Sequence, residues 1–257
     1  MLKIKNKVIV ITGGAGLLGS AFAKEIVAEG GTVIIGDLRM DAATEVANDI
    51  NKRFDGNLAN PIELDITSKK SIQKAIEVID SNFGKIDALV NNAYPKNKNY
   101  GRKFEDVQYE DFCENLNIHL GGYFLTIQTF AQYFKKQQYG NIITVSSIYG
   151  VIAPRFEIYN GLDMTMPVEY AVIKSALINL NRYLLRYFDG DNIRFNCLSP
   201  GGIFDNQPEQ FVQNYSNFTQ SKKMLVPADV VGTLLFLLSD YSKYINGQNL
   251  IIDDGWS

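Results

Sequence analysis

Tyr170 and Lys174 are four residues apart, so any helix that contains them presents both on one face, one turn from each other. A free phenol titrates at about 10, too high for a base at neutral pH, and a neighbouring ammonium favours the phenolate. Such a pair can give a proton to a developing alkoxide or take one from an alcohol. Upstream, Asn141-Ile142-Ile143-Thr144-Val145-Ser146-Ser147 reads as a strand that delivers two hydroxyls at its C-terminal end. That end is where open α/β sheets bind ligands.

A second chemical feature lies near the start. Val8-Ile9-Val10-Ile11-Thr12 is a β-branched run cut off by Gly13-Gly14-Ala15-Gly16, and Leu18, Phe22 and Ile26 then recur at helical spacing. The glycines fall as Gly13-x-x-Gly16-x-x-Gly19. They permit positive φ and close backbone approach, and the helix that follows presents unpaired N–H groups suited to a pyrophosphate. Asp37 ends the next apolar run, 21 residues after Gly16 (37 − 16). A carboxylate there can accept both ribose hydroxyls of an adenosine, which favours NAD, and would repel the extra phosphate of NADP. Arg39, two residues on, would soften that repulsion.

The elements that must carry these groups alternate. Thr32 to Asp37 reads as a second strand, Ala42, Val46 and Ile50 as a helix, and Ile62 to Asp65 as a short strand. Thr67 or Ser68 caps a helix carrying Ile72, Ile76, Ile79 and Phe83. Asp87 to Val90 is a fourth strand, ending in Asn91-Asn92-Ala93, whose amides can brace the sheet edge. Tyr94 to Tyr109 is polar and reads as a loop. Phe112, Leu116, Leu120 and Phe124 run down one face of a helix that ends near Gly140. A helix from Pro167, placed at a first helical position, carries Ile173, Leu177, Leu180, Leu184 and Tyr187. Ile193 to Leu198 is a sixth strand, residues 203–226 look mobile, Val231 to Leu238 is a last helix, and Gln248 to Asp253 closes the sheet. This alternation predicts a doubly wound parallel sheet, a Rossmann fold, in one domain over residues 1–257.

Composition narrows the partners. The 257 residues carry a formal net charge of −3 with scattered Lys and Arg, against a nucleic-acid groove or an anionic membrane. Two cysteines and one histidine supply neither a disulfide framework nor a zinc set. No stretch reaches the length of a membrane span, and the apolar run before Thr12 is too short for a signal-peptide core. A reduced, cytoplasmic protein acting on a small molecule is the simplest reading.

Thr12-Gly13 with its glycines, Asp37, Asp65, Asn91-Asn92-Ala93, Ser147, Tyr170, Lys174, Pro200-Gly201 and Asn246-Gly247-Gln248 together resemble the short-chain dehydrogenase/reductase family over nearly the whole chain. The resemblance implies carbonyl–alcohol redox chemistry with NAD, or with NADP as the alternative. It places cofactor contacts on Gly13, Gly16, Leu17, Leu18, Gly19, Asp37, Asp65, Ile66, Asn92, Ala93, Lys174, Pro200, Gly201 and Ile203. It makes Tyr170 the general acid in reduction and the base in oxidation, and Ser147 the hydrogen-bond partner of the substrate oxygen. Lys174 would lower the tyrosine pKa and hold the nicotinamide ribose. Ser147 is preferred to Ser146 because Gly150 follows it by three.

Departures from the pattern carry information. Leu17 stands where the classical branch has a glycine, so the glycine spacing is that of the extended branch. Tyr94 replaces the glycine that usually completes Asn-Asn-Ala-Gly and is expected to point into the substrate site. His119, followed by Gly121-Gly122-Tyr123-Phe124, holds the place of the tetrad asparagine and joins the catalytic candidates; Asn117 is two residues off register. From Ser147 to Tyr170 is 23 positions (170 − 147), against a family gap of about a dozen. The extra residues, about 151–167, must bulge over the cleft, offering Arg155, Glu157, Tyr159, Asn160 and Asp163 to substrate while Phe156, Met164 and Met166 pack it down. The segment Ser147 to Ser175, with Pro154, Phe156-Glu157-Ile158-Tyr159 and Thr165-Met166-Pro167, is similar to bacterial oxidoreductases of flagellin-modification and surface-glycan loci, the flagellin modification protein A type, which implies a sugar or sugar-derived substrate. An epimerase or dehydratase that retains its NAD, and a cofactor-binding regulator without catalysis, are the alternatives. The family also implies a homo-oligomer, a tetramer or dimer, formed through the helices at about 112–138 and 168–188.

Overall fold

The computed structural model describes residues 4–257. Seven parallel strands form one sheet in the order β3-β2-β1-β4-β5-β6-β7. They are β1 Val8–Thr12, β2 Thr32–Asp37, β3 Ala59–Glu63, β4 Ala88–Asn91, β5 Gly140–Val145, β6 Ile193–Pro200 and β7 Asn249–Ile252. Parallel strands need crossovers, and the helices supply them on both faces: α1 Leu17–Ala28, α2 Met40–Arg53, α3 Lys69–Phe83, α4 Tyr109–Asn115, α5 Gly122–Gln137, α6 Val168–Tyr187, α7 Glu209–Ser216 and α8 Pro227–Leu238. The sheet's two faces bury separate cores. Ile9, Ile11, Val33 and Ile35 pack with α1 and α8, while Val10, Ile34, Leu89 and Ile142 pack with α3 and α5. Both faces being covered, the strands read as near-continuous apolar runs. The chain reverses its winding direction between β1 and β4, which opens the ligand crevice above their C-terminal ends.

The expected fold is present, with local differences. The third strand is Ala59–Glu63, earlier than the run Ile62 to Asp65 suggested; it is the sheet edge, where Pro61 is tolerated. Ser68, and not Thr67, caps α3, its hydroxyl accepting from the Ser71 N–H at 3.3 Å. Pro167 lies just outside α6, extended at the cap position. The helix expected from Phe112 starts at Tyr109 and passes through a π-helical turn, Leu116–Gly121. Residues 203–226, expected to be a mobile segment, hold regular structure and buried side chains. They contain α7, and Phe211, Tyr215, Met224 and Leu225 are buried there. Its Asn- and Gln-rich composition hid an aromatic stripe that packs on Trp256.

Candidate active site

The glycine turn is built from the sheet upward. Gly13 has φ +62°, and a Cβ on it would stand 2.7 Å from the Ala93 Cα. Gly19 admits no side chain because its Cβ would strike the Gly13 carbonyl and lie 2.7 Å from the Gly14 Cα. Asn92 braces the turn, its amide donating to the Thr12 and Gly13 carbonyls at 3.1 Å each. The Thr12 hydroxyl accepts from the Asn92 and Ala93 N–H groups at 2.9 and 3.1 Å. Gly16 caps α1 with no side-chain hydrogen bond, and the first turn holds no acid. The helix therefore presents its N–H groups to an anion. Asp37 accepts from the Ala15 and Arg39 N–H groups, both at 3.1 Å, placing a carboxylate beside the turn. Arg39 reaches it only at 4.0 Å and is largely exposed. These features fit the pyrophosphate and adenosine ribose of a dinucleotide.

The remaining cofactor candidates sit along the same crevice with different local roles. Leu17 is exposed and Leu18 packs partly against the core. Asp65 turns its carboxylate onto the Thr67 N–H and hydroxyl at 2.8 and 2.7 Å. Ile66 is buried against Tyr123 and leaves no room for a Cβ on Gly122. Pro200 ends β6, the Gly201 N–H donates to the Ile252 carbonyl, and Ile203 bridges to Leu225.

Above β5 the chemistry converges. β5 ends at Val145, so Ser146 and Ser147 lie just past the strand. The Ser146 hydroxyl donates to the Lys174 carbonyl at 2.8 Å and is thereby consumed in docking α6. Ser147 is 4% exposed, and its hydroxyl oxygen accepts from the Tyr149 N–H at 3.2 Å. A Cβ on Gly150 would approach the Lys174 carbonyl oxygen to 2.6 Å, which explains why glycine follows Ser147 by three. The Lys174 Nζ donates to the Val145 carbonyl at 2.9 Å. It also lies 5.5 Å from the ring centres of both Tyr170 and Tyr123. Burial drops the Lys174 ammonium to about 7 and pushes the Tyr170 phenol above its ordinary value, the Ser147 side chain pulling it back.

A wall of aromatic side chains surrounds this pair. Tyr94 stands edge-on to Tyr170 at 5.7 Å and to His119 at 5.3 Å, and its hydroxyl donates to that of Tyr100 at 2.9 Å. Tyr94 does face the cleft, as its position after Asn91-Asn92-Ala93 suggested. His119 is fully buried, and neither ring nitrogen has a partner. Burial, with the nearby Lys174 adding to it, holds His119 well below its ordinary value, so it is neutral. Asn117 is exposed and faces away from the site.

Two buried polar residues were not found in the sequence. Glu169, 1% exposed, accepts from the Asn115 amide at 3.4 Å, and Asn115 in turn accepts from the Asn97 N–H at 3.0 Å. This ties the loop after β4 to α6 beside Tyr170. Adjacency to Tyr170 was the one available signal for Glu169. The inserted segment also differs in detail. Ile158 and Tyr159 are its buried anchors, whereas Phe156, Glu157, Asn160 and Asp163 are exposed; Met164 and Met166 pack partly, as expected.

A family model described as enoyl-(acyl carrier protein) reductase matches residues 14–257. The chain is 42% identical to the post-translational flagellin modification protein A of Campylobacter coli, covering 98% of this chain and 99% of that protein. It is 30% identical to the 7alpha-hydroxysteroid dehydrogenase of Bacteroides fragilis, covering 99% and 96%. Among solved structures, a short chain dehydrogenase from Leptospira borgpetersenii with bound NAD+ is 34% identical, with a TM-score of 0.84 over 99% of this chain and 94% of that one.

The contact between Gly150 and Lys174 yields a prediction. Gly150→Ala should push α6 off the end of β5 and lower kcat by about 100-fold, the cost of a displacement near 1 Å in a catalytic site. Binding at the glycine turn should persist. Steady-state kinetics beside a cofactor titration checks both, and an unchanged kcat would show that the close approach is not required.

Proposed function

The chain belongs to the short-chain dehydrogenase/reductase family and is an oxidoreductase acting on CH–OH groups, and from that premise we propose that it interconverts an alcohol and a carbonyl on a sugar or sugar-derived substrate of bacterial surface-glycan or flagellin modification, with NAD. The observation that carries the reading is the set Ser147, Tyr170 and Lys174, intact above β5 and walled by tyrosines. Near full-length similarity to a flagellin modification protein supports the substrate class, and a solved relative with bound NAD+ supports the cofactor.

In this reading the bound nicotinamide supplies or accepts hydride at the reacting carbon. Ser147 positions the substrate oxygen. Tyr170 delivers a proton to that oxygen in reduction and removes it in oxidation. Lys174, when charged, stabilises the phenolate through the 5.5 Å approach to the Tyr170 ring, and the Val145 carbonyl holds its Nζ in place. His119 fills the tetrad position as a neutral imidazole able to donate or accept through its free nitrogens. The segments at about 151–167 and 203–226 close over the cleft and select the substrate. The free thiols Cys113 and Cys197 suit a reducing, cytoplasmic compartment.

An apolar groove of about 640 Å³, lined by Leu116, Leu120, Phe124, Ala176, Leu180 and Tyr183 among others, runs between the π turn, α5 and α6. Phe124 and Tyr183 are 48% and 61% exposed there, and a second copy of the chain would cover them. Among the described residues no helix is long and apolar enough to cross a membrane.

Four measurements test these statements. Purified protein with NAD and a panel of sugars and nucleotide sugars should form reduced cofactor, followed by absorbance, and Tyr170→Phe should lose at least about 100-fold in kcat/KM. Because burial raises the Tyr170 pKa, oxidation should accelerate with rising pH as phenolate forms, with the rise blunted above about 7 where Lys174 loses its charge, while reduction, which uses the phenol, holds level below the Tyr170 pKa. Product formed without net reduced cofactor would favour the epimerase or dehydratase reading instead. Asp37 should make NAD(H) bind more tightly than NADP(H) in a titration; equal binding would mean that Arg39 dominates. Sedimentation at micromolar concentration should show a tetramer or dimer, and a monomer alone would contradict the groove's assignment.

A further inference from the structure

Arg155 is a cation set among aromatic side chains. It lies in the inserted segment, at the start of the short 3₁₀ turn Phe156–Tyr159, and is partly buried. Among the described residues no carboxylate reaches it within ion-pair distance, and its Nε is buried without an acceptor. Its guanidinium packs instead over two aromatic faces, 4.7 Å from the Phe218 ring centre and 5.2 Å from that of Trp256. Trp256 is 1% exposed, and its indole N–H is a second buried donor with no acceptor.

This cluster contacts residues next to Ser147 and next to Pro200-Gly201. Trp256 meets Tyr149 edge-on at 5.6 Å, and Tyr149 is two residues past Ser147. On its other side Trp256 stacks on Tyr215 at 5.2 Å, and the Tyr215 hydroxyl accepts from the Gly202 N–H at 2.6 Å, beside Pro200-Gly201. One aromatic side chain therefore separates Arg155 from the segment that carries the catalytic serine.

Aromatic faces offset part of the desolvation of a guanidinium, but they satisfy none of its N–H groups. Those groups lie in one plane, in a fork that matches two oxygens of a carboxylate or phosphate. The buried Nε is left without an acceptor, and among the described residues no carboxylate of this segment uses the charge. We propose that Arg155, held against the edge-on pair Phe218 and Trp256, is a subsite for an oxyanion carried by the substrate: a carboxylate or a phosphate on the sugar, away from the carbon that reacts at Tyr170. The subsite deepens the proposed function and rests on its reading of the cleft as a sugar site.

Trp256 is the sole tryptophan of the sequence, so its fluorescence reports occupancy next to Arg155 directly. The full chain, saturated with NAD, is titrated with glucose, galactose and glucosamine and with the 6-phosphates and uronates of the same series, followed by tryptophan fluorescence and by calorimetry. At least one anionic sugar should bind ten-fold or more tightly than its neutral counterpart. The tighter of the 6-phosphate and uronate arms identifies the oxyanion. Arg155→Gln should abolish that preference without altering NAD affinity, thermal midpoint or the weak response to neutral sugar, and Arg155→Lys should retain part of it. The proposal is overturned if no anionic sugar outbinds its neutral form by either method, or if Arg155→Gln binds the anionic sugar equally well. It is also overturned if inorganic phosphate alone binds as tightly as the sugar phosphate, which would mark a general anion site. Failure of the oxidoreductase reading shows differently, as Arg155-dependent binding with no reduced cofactor formed from any bound sugar.

Discussion

Placing the Lys174 ammonium inside the protein is the constraint around which the catalytic end is built. An ion taken out of water costs several kcal/mol unless its surroundings replace the solvent. Here the Val145 carbonyl accepts one proton at 2.9 Å, and the faces of Tyr170, Tyr123 and Tyr94 stand at 5.5 to 6.0 Å. A desolvated cation over an aromatic face gains about 2 kcal/mol, so the tyrosine wall carries a share of the compensation. The compensation is incomplete, and burial still draws Lys174 down to about 7. The lysine is thus poised near neutrality, responsive to any negative charge that forms on Tyr170.

That arrangement demands that α6 sit very close to the end of β5. Ser146 gives its hydroxyl to the Lys174 carbonyl, and Gly150 leaves out a side chain where the same carbonyl passes. Once α6 is docked, Ser147 and Tyr170 meet at one site although 23 positions separate them (170 − 147). The inserted residues cannot lie between them and fold outward over α7, with Ile158 and Tyr159 as buried anchors against Phe211. Close docking below and a longer cover above are consequences of the same geometry.

The π turn serves the opposite wall. A turn with i→i+5 hydrogen bonds is wider than an α-helical one, so residues four apart stay more nearly in line. Asn115, His119 and Tyr123 are spaced by four, and all three are buried toward the site. The following α5 then returns to ordinary spacing, burying Ile127, Phe130 and Phe134 in the core. His119 gains its place beside Tyr94 and Tyr123 from this turn. Leu116, Leu120 and Phe124, the apolar stripe expected on this helix, face outward into the groove.

The alternation of strands and helices, the glycine turn, Asp37 and the Ser147, Tyr170 and Lys174 set were all legible in the sequence, because each rests on local rules. β-branched runs make strands, glycines mark positive φ and close approach, and a spacing of four shares a helix face. Residues 203–226 misled because composition measures exposure poorly when a few aromatics do the packing: Phe211 and Tyr215 anchor α7 among Asn and Gln. Glu169, Asn115 and Asn97 come from three elements and become one network only when α4 and α6 meet. Arg155 was legible as a polar residue on a bulge. That it would pack against Phe218 and Trp256, with no acid among the described residues in ion-pair reach, depended on the residues after β7 meeting the inserted segment, and no local pattern encodes contacts made across such a distance along the chain.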